Sequence, residues 1–384
     1  MDSLTQAVYG AVIGQAGFQR RLGRKAVAWG AVAGTLPDLD VIATVVAGPL
    51  AEHSFHRGPT HSLLFAGLGG AGLGLLVARW YRYRAERTGR PTPGAAAGDA
   101  MAWAALFVTV FATHALLDAF TGYGTQLWLP FSNQRVAWHG LSIIDPLFTV
   151  PLLLALLAGA AGGWRRRRSV VAAIAALGLV TGYQLWTLTW HGQARDRVAE
   201  RISAEGWEPE KVFVTPMPPS SVLRRAVVLT EDSVHVGFFS LAASDDSGQW
   251  QSAPRLADPV VAAVLATPEG RVFDWFAAGM TAGRTVEDGP GASRVRIDDL
   301  RFGIPGAPAD TGLWGIEAPV RSEPAAAPAV GPVDRFRREP DLGSGAAGWL
   351  WRALTAGFAH AGPPPAPADH TGTVGASART SGPS

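Results

Sequence analysis

The sequence predicts an α-helical polytopic membrane protein with about 5–6 membrane segments, a small C-terminal α+β extramembrane domain and a mostly disordered tail. Three observations predict it. Apolar residues make up 48% of the 384-residue chain and charged residues only 17%, and the apolar ones concentrate before residue 190. Basic residues cluster beside the apolar stretches. Past residue 190 short β-rich runs replace the long apolar ones, and past 320 Pro, Ala, Gly and Ser take over. The expected domains are therefore 1–190, helical and membrane-embedded; 191–320, α+β; and 321–384, the tail.

Six apolar stretches run 3–18, 26–48, 62–78, 100–120, 143–163 and 169–190. A spanning helix needs about 20 residues, and several stretches reach that length. The first is short and glycine-containing, so a tilted span and a re-entrant segment are both open. The second holds Pro37-Asp38-Leu39-Asp40 and is expected to break there. Trp80, Trp128, Trp138, Trp164 and Trp190 lie near segment ends, where interfacial anchors belong. Asp2 and the neutral stretch after it lack the basic start of a cleavable signal peptide.

Charge sets the expected orientation. Arg20, Arg21, Arg24 and Lys25, then Arg79, Arg82, Arg84, Arg87 and Arg90, then Arg165 to Arg168 mark three connections as cytoplasmic. Connections 49–61 and 121–142 carry only Arg57 and Arg135, so they and everything after 190 are expected outside the inner (cytoplasmic) membrane. The net charge of +2 and the placement of the arginines point to a bilayer partner, not nucleic acid. With no cysteine, disulfides, thiolate ligands and cysteine nucleophiles are excluded.

In the second half, strands are expected at Val212–Val214, Ala226–Thr230, Val234–Leu241 and Val295–Leu300, and helices at Pro259–Leu265 and Val272–Ala278. Gly348–Ala359 is either a short interfacial helix or an incidental apolar island.

Ionisable groups in or beside membrane segments are costly and usually have a partner or a task. Asp38 and Asp40 share a face only if their segment is broken, and two carboxylates so close call for a cation or protons between them. His56 and His61 are five apart and do not share a helical face. Pro59 and Thr60 read as a helix start, with Thr60 a cap. Neutral imidazoles suit zinc and other transition metals. Arg57 offers a planar donor for an anionic oxygen such as phosphate, or a lipid-headgroup anchor. His114 and Asp118, four apart, share one helix face, either as two ligands or with Asp118 orienting the imidazole. Asp145 begins the next segment as a ligand or as a helix cap before Pro146.

Depth joins these stretches. Counting from residue 26, Asp38 and Asp40 lie ~18–21 Å along a helix, and counting from 100, His114 and Asp118 lie ~21–27 Å along. Both pairs fall in the outer half of a ~30 Å hydrocarbon core, level with the 56–61 loop and Asp145. The expected metal-ligand pool is Asp38, Asp40, His56, His61, His114 and Asp118.

Five stretches together resemble the YdjM-type (LexA-regulated) membrane-bound metal-dependent hydrolases. They are Met1-Asp2-Ser3-Leu4-Thr5-Gln6, Gly34-Thr35-Leu36-Pro37-Asp38-Leu39-Asp40, His56-Arg57-Gly58-Pro59-Thr60-His61-Ser62, His114-Ala115-Leu116-Leu117-Asp118 and Ile143-Ile144-Asp145-Pro146-Leu147-Phe148. Residues 191–320, with Asp299-Leu300-Arg301-Phe302-Gly303, resemble the extra domain of a longer subgroup. The resemblance implies a metal-dependent hydrolase in the membrane. Gln6 stands where many members carry His and is left out of the pool; His139 stands where an acid is more usual and is given no role. The expected activity is hydrolysis of a phosphoester, of lipid or other origin, at one or two divalent metals, zinc before manganese. Arg57 would bind developing negative charge, and a carboxylate free of the metal, Asp145 among the catalytic candidates, would act as base. The competing class is a non-enzymatic metal-binding membrane protein, an ion transporter or an envelope-stress scaffold.

Overall fold

The first two apolar stretches pair through glycine. In this computed structural model, α1 (Ser3–Ile13) continues through a π-helical turn at Gly14–Phe18 and a last turn at Gln19–Leu22. α2 (Lys25–Thr35) folds back against it. A Cβ added to Gly10 would run into the Gly30 carbonyl oxygen, one on Gly14 into that of Ala26, and one on Gly34 into that of Gln6. Small residues four apart on both helices thus let the backbones touch, which is how helices associate where lipid removes the hydrophobic drive. The structure describes residues 1–42, 46–48, 50–90, 92–162, 167–243, 248–255, 258–287, 293–321, 328–338, 346–362 and 364.

α2 ends before Pro37, as the sequence predicts, and a 3-10 turn over Pro37–Ile42 carries both aspartates. A second 3-10 turn, Pro59–His61, precedes α3 (Leu63–Thr88). The helix cap is Ser62, whose hydroxyl accepts the Phe65 N–H at 3.1 Å; Thr60, the expected cap, lies inside the turn. α4 (Ala100–Ala119) packs along α3. α5 (Pro146–Gly162) and α6 (Arg167–Glu205) complete the bundle. Its core gathers Val12, Trp103, Phe107, Phe111, Phe148 and Leu152. Leu68, Leu76, Leu157, Leu179 and Trp186 are exposed on its outer faces, a surface suited to lipid.

Among the described residues three helices are long and apolar enough to cross a membrane: Leu63–Thr88, Ala97–Ala119 and Arg167–Glu205. Pro146–Ala161 is apolar but shorter. Trp164, Arg165 and Arg166 of the expected third basic connection lie outside the described residues, as do 43–45 of the expected second segment.

The second half builds two antiparallel sheets. β1 (Lys211–Met217), β2 (Ser220–Leu229), β3 (Ser233–Ser240) and β4 (Gln249–Pro254) form a meander. Two short helices follow, α7 (Pro259–Leu265) and α8 (Pro268–Phe276). α8 starts earlier than the apolar run implies because Thr267 caps it by accepting the Gly270 N–H at 3.0 Å. β5 (Thr281–Glu287), β6 (Ser293–Asp299) and β7 (Trp314–Arg321) form the second sheet; β8 (Ala329–Val330) and β9 (Asp334–Arg337) both pair with β7.

Four elements therefore lie in the region expected to be mostly disordered: β8, β9, a helix over Ala346–Ala356 and a short one over Phe358–Ala361. β9 extends the second sheet, and α9 (Ala346–Ala356) buries Trp349 and Ala353 against the core of the first. Of the two alternatives open for Gly348–Ala359, most of the stretch is helical, and it packs on protein. Residues 365–384 of the expected tail lie outside the described residues.

The sheets sit on one end of the bundle. Ser221 of β2 meets Asp145 and Ser142, Arg224 donates to the His139 carbonyl at 2.9 Å, and Glu52 pairs with Arg335. The same end holds the start of α1, the end of α2, the start of α3, the end of α4 and the start of α5.

Candidate metal centre

Four side chains from three of these ends converge. His61 Nε2, His114 Nε2, Asp38 and Asp118 each offer one ligand atom, all within 4.8 Å of one another. The two Nε2 atoms are 3.0 Å apart. His61 Nε2 lies 3.5 Å from Asp38 Oδ1 and 3.2 Å from Asp118 Oδ2. His114 Nε2 lies 3.4 Å and 3.7 Å from the same two atoms. Ligands ~2.0–2.1 Å from a tetrahedral ion stand ~3.3–3.4 Å from one another, so the spacing fits a single zinc-sized cation.

The outer partners say which lone pairs face inward. His114 Nδ1 donates to the Gly34 carbonyl at 2.8 Å; a carbonyl only accepts, so the proton is on Nδ1 and the Nε2 lone pair faces the cluster. His61 Nδ1 faces Asp40 Oδ2 at 3.3 Å and the Thr60 hydroxyl at 3.1 Å, which turns its Nε2 inward too. Two imidazole lone pairs facing each other at this separation repel unless a cation or proton lies between them. Asp118 Oδ2, fully buried, accepts no hydrogen bond. Donor type, spacing and this unfilled acceptor all fit a divalent ion.

Two members of the expected pool stand outside the four. Asp40 Oδ1 pairs with His56 Nδ1 at 2.7 Å, and Oδ2 accepts the Arg57 N–H at 2.9 Å and the Thr60 hydroxyl at 3.2 Å. The structure places it behind His61, in the position of an orienting carboxylate. His56 follows Asp40 and is spent on it. The chain bend responsible is at Arg57, whose φ of 56° is left-handed. For a non-glycine residue that conformation costs on the order of 1–3 kcal/mol. It is held by the Asp40 contact and by the Gln126 N–H, which donates to the Arg57 carbonyl at 2.9 Å.

Arg57 is itself buried. Its Nε lies 3.3 Å from Asp118 Oδ2, its Nη1 donates to the Thr121 hydroxyl at 2.8 Å, and its guanidinium stacks on Tyr123. Asp145 is placed elsewhere. Its Oδ1 accepts the Leu147 N–H at 3.0 Å, capping α5. Its Oδ2 accepts Tyr183 Oη at 2.8 Å and Ser221 N–H and Oγ at 3.1 and 2.5 Å. Asp145, expected among the catalytic candidates, is thus a helix cap and a fastening between the helical bundle and β2, with its acceptors filled.

Sequence reasoning missed three contributors. Gln6 Nε2 donates to Asp118 Oδ1 at 3.1 Å and to the His114 carbonyl at 3.3 Å. The Met1 amino group also lies against Asp118 Oδ1. Tyr123, ringed by His56, Phe276 and Phe302, holds Arg57 from the side of the sheets. The glycine spacing on α1 and α2 could have placed Gln6 beside Gly34; nothing local marks Tyr123. Two nearby histidines stay neutral: burial against Phe273 and Phe276 pushes His53 down to about 4, and burial beside His191 pushes His139 down to about 3.

Residues 1–191 match the model of the YdjM inner membrane protein family. No curated protein and no solved structure matches the chain. The matched segment contains every donor of the cluster. The helical half of this chain belongs to the YdjM inner membrane protein family.

Proposed function

We propose that the protein is a membrane-bound, metal-dependent hydrolase that cleaves a phosphoester at the membrane surface. The observation that carries this reading is the set of four inward-facing donors at tetrahedral spacing beside a buried arginine. A divalent ion, zinc before manganese, supplies Lewis acidity that polarises the phosphoryl group and acidifies water. Asp38 is the most exposed donor, its side chain 16% accessible against 0–1% for the other three, so substrate and water approach from its side. Its second oxygen, which accepts the Ser3 hydroxyl at 3.1 Å, is positioned to take a proton from the attacking water. Arg57 keeps positive charge beside Asp118 and so offsets charge that builds on the phosphoryl oxygens. Arg21, in the last turn after α1, and Arg24, just before the start of α2, lie at the end of the bundle away from the cluster. By the positive-inside rule that arrangement supports a centre and sheets facing away from the cytoplasm.

One observation favours a second reading. Four protein donors close a tetrahedron, the arrangement of structural zinc sites, whereas catalytic sites usually leave a position open. A metal-binding scaffold or an ion transporter would use such a site without turnover.

The test is purified protein stripped with chelator, titrated with zinc or manganese and assayed on bis(p-nitrophenyl) phosphate, wild type beside His61→Ala. One bound ion with turnover in the wild type, and neither in the variant, is expected. A bound ion without turnover on any phosphoester selects the second reading. Equal, negligible metal in both proteins sinks the centre itself.

A further inference from the structure

The geometry points to an amphiphilic substrate whose apolar chain lies in the cavity between the helical bundle and the sheets, an inference that rests on the hydrolase reading. The cavity has a volume of about 190 Å³. One wall comes from the 121–143 connection, with Leu141 and Ile143, and the other from the sheets, with Met217, Phe302 and Trp314. Apolar space of this kind takes apolar ligand surface, with a few polar groups fixing orientation.

Its wall and the metal centre share a residue. Thr121 lines the cavity, accepts from Arg57 Nη1 at 2.8 Å and donates to the Asp118 carbonyl at 2.7 Å. A ligand in the cavity therefore has its near end against Thr121, one hydrogen bond away from Arg57. The two arginines in the opposite wall are already engaged. Arg301 is held by Asp299 at 2.7 and 2.9 Å, and Arg225 donates to the Leu300 carbonyl at 3.0 and 3.2 Å. They close the wall and leave the anionic end of a ligand to Arg57.

The entrance also points to lipid. Ile143 is a wall residue, and with Ile144 and Leu147 it is 38–59% exposed where α5 begins. Apolar side chains left uncovered at the start of an apolar helix give a chain a path from the bilayer that avoids water. Buried Thr215 Oγ1 lines the cavity and has no hydrogen-bond partner among the described residues, so it can meet an ester oxygen or hydroxyl near the head of the chain.

The experiment uses full-length protein in phosphatidylcholine vesicles and p-nitrophenyl dodecyl phosphate with a diazirine at the chain end. After illumination, mass spectrometry is expected to find label on 215–218 or 302–314 in the wild type and in metal-free His61→Ala. Met217→Trp, which fills the cavity, should cut that label and lower the ratio of dodecyl to methyl p-nitrophenyl phosphate turnover on the order of tenfold. Label confined to the outer faces of the helices, around Leu157 and Leu179, overturns the inference, as does an unchanged ratio in Met217→Trp. The two readings fail separately. Turnover without cavity label removes the chain pocket and keeps the hydrolase, whereas cavity label without turnover removes the hydrolase and keeps a site for an amphiphile.

Discussion

Asp118 and Asp145 are two fully buried aspartates at ends of apolar helices on the same side of the bundle, yet they are wired in opposite ways. Around Asp145 every acceptor is used: a backbone N–H fills Oδ1, and a tyrosine, a serine hydroxyl and a second backbone N–H share Oδ2. Around Asp118 the outer oxygen is filled by Gln6 and the Met1 amino group, while the inner one faces two imidazoles and the Arg57 guanidinium and, among the described residues, accepts no hydrogen bond. Depth and residue type are the same in both regions. What separates a ligand from a fastening is acceptor capacity left open toward other donors, because leaving a buried carboxylate oxygen unmatched is costly unless something else completes it.

That contrast can be broken by measuring metal affinity. Asp118→Ala should have the largest effect, weakening zinc binding well beyond the ~10–100-fold that outer partners cost; competition with a chromophoric chelator reads it, and retention of wild-type affinity removes Asp118 from the ligand set. Asp40→Ala should come next, within that ~10–100-fold range, because it frees the His61 ring without deleting a donor. The Asp40→Asn variant should recover part of the loss by accepting from His61 Nδ1. Gln6→Ala should weaken binding only a few-fold, because Asp118 Oδ1 keeps the Met1 amino group when the Gln6 amide is lost. Asp145→Ala should leave affinity unchanged. It should instead destabilise the protein by about 3 kcal/mol, seen as a lower midpoint in denaturant, because Tyr183 and Ser221 lose a charged acceptor. Metal loss in Asp145→Ala without destabilisation would reverse the roles argued for the two aspartates.

Much of the site was legible because charge is conspicuous in apolar sequence. Asp38, His61, His114 and Asp118 stood out for that reason, and the four-residue spacing put the last two on one face. The division of labour between Asp38 and Asp40 was not legible. It depends on how a 3-10 turn and a left-handed Arg57 aim two carboxylates, and neither spacing nor composition encodes that. Asp145 was readable as either cap or ligand, and the tie was decided by Ser221, 76 residues away on a strand. The long helices followed from length and hydropathy. The setting of α9 was left open for a different reason: an apolar run does not show whether lipid or a sheet will cover it.

The glycine seam between α1 and α2 has a consequence beyond holding two helices together. Gly34 touches Gln6 across the seam; the Gly34 carbonyl fixes His114, and the Gln6 amide holds Asp118. The seam therefore works as a gauge block, setting the spacing at which two donors on a third helix are presented. A single methyl group added at Gly34 would touch no donor, yet it would have to wedge the gauge apart and throw both out of calibration at once.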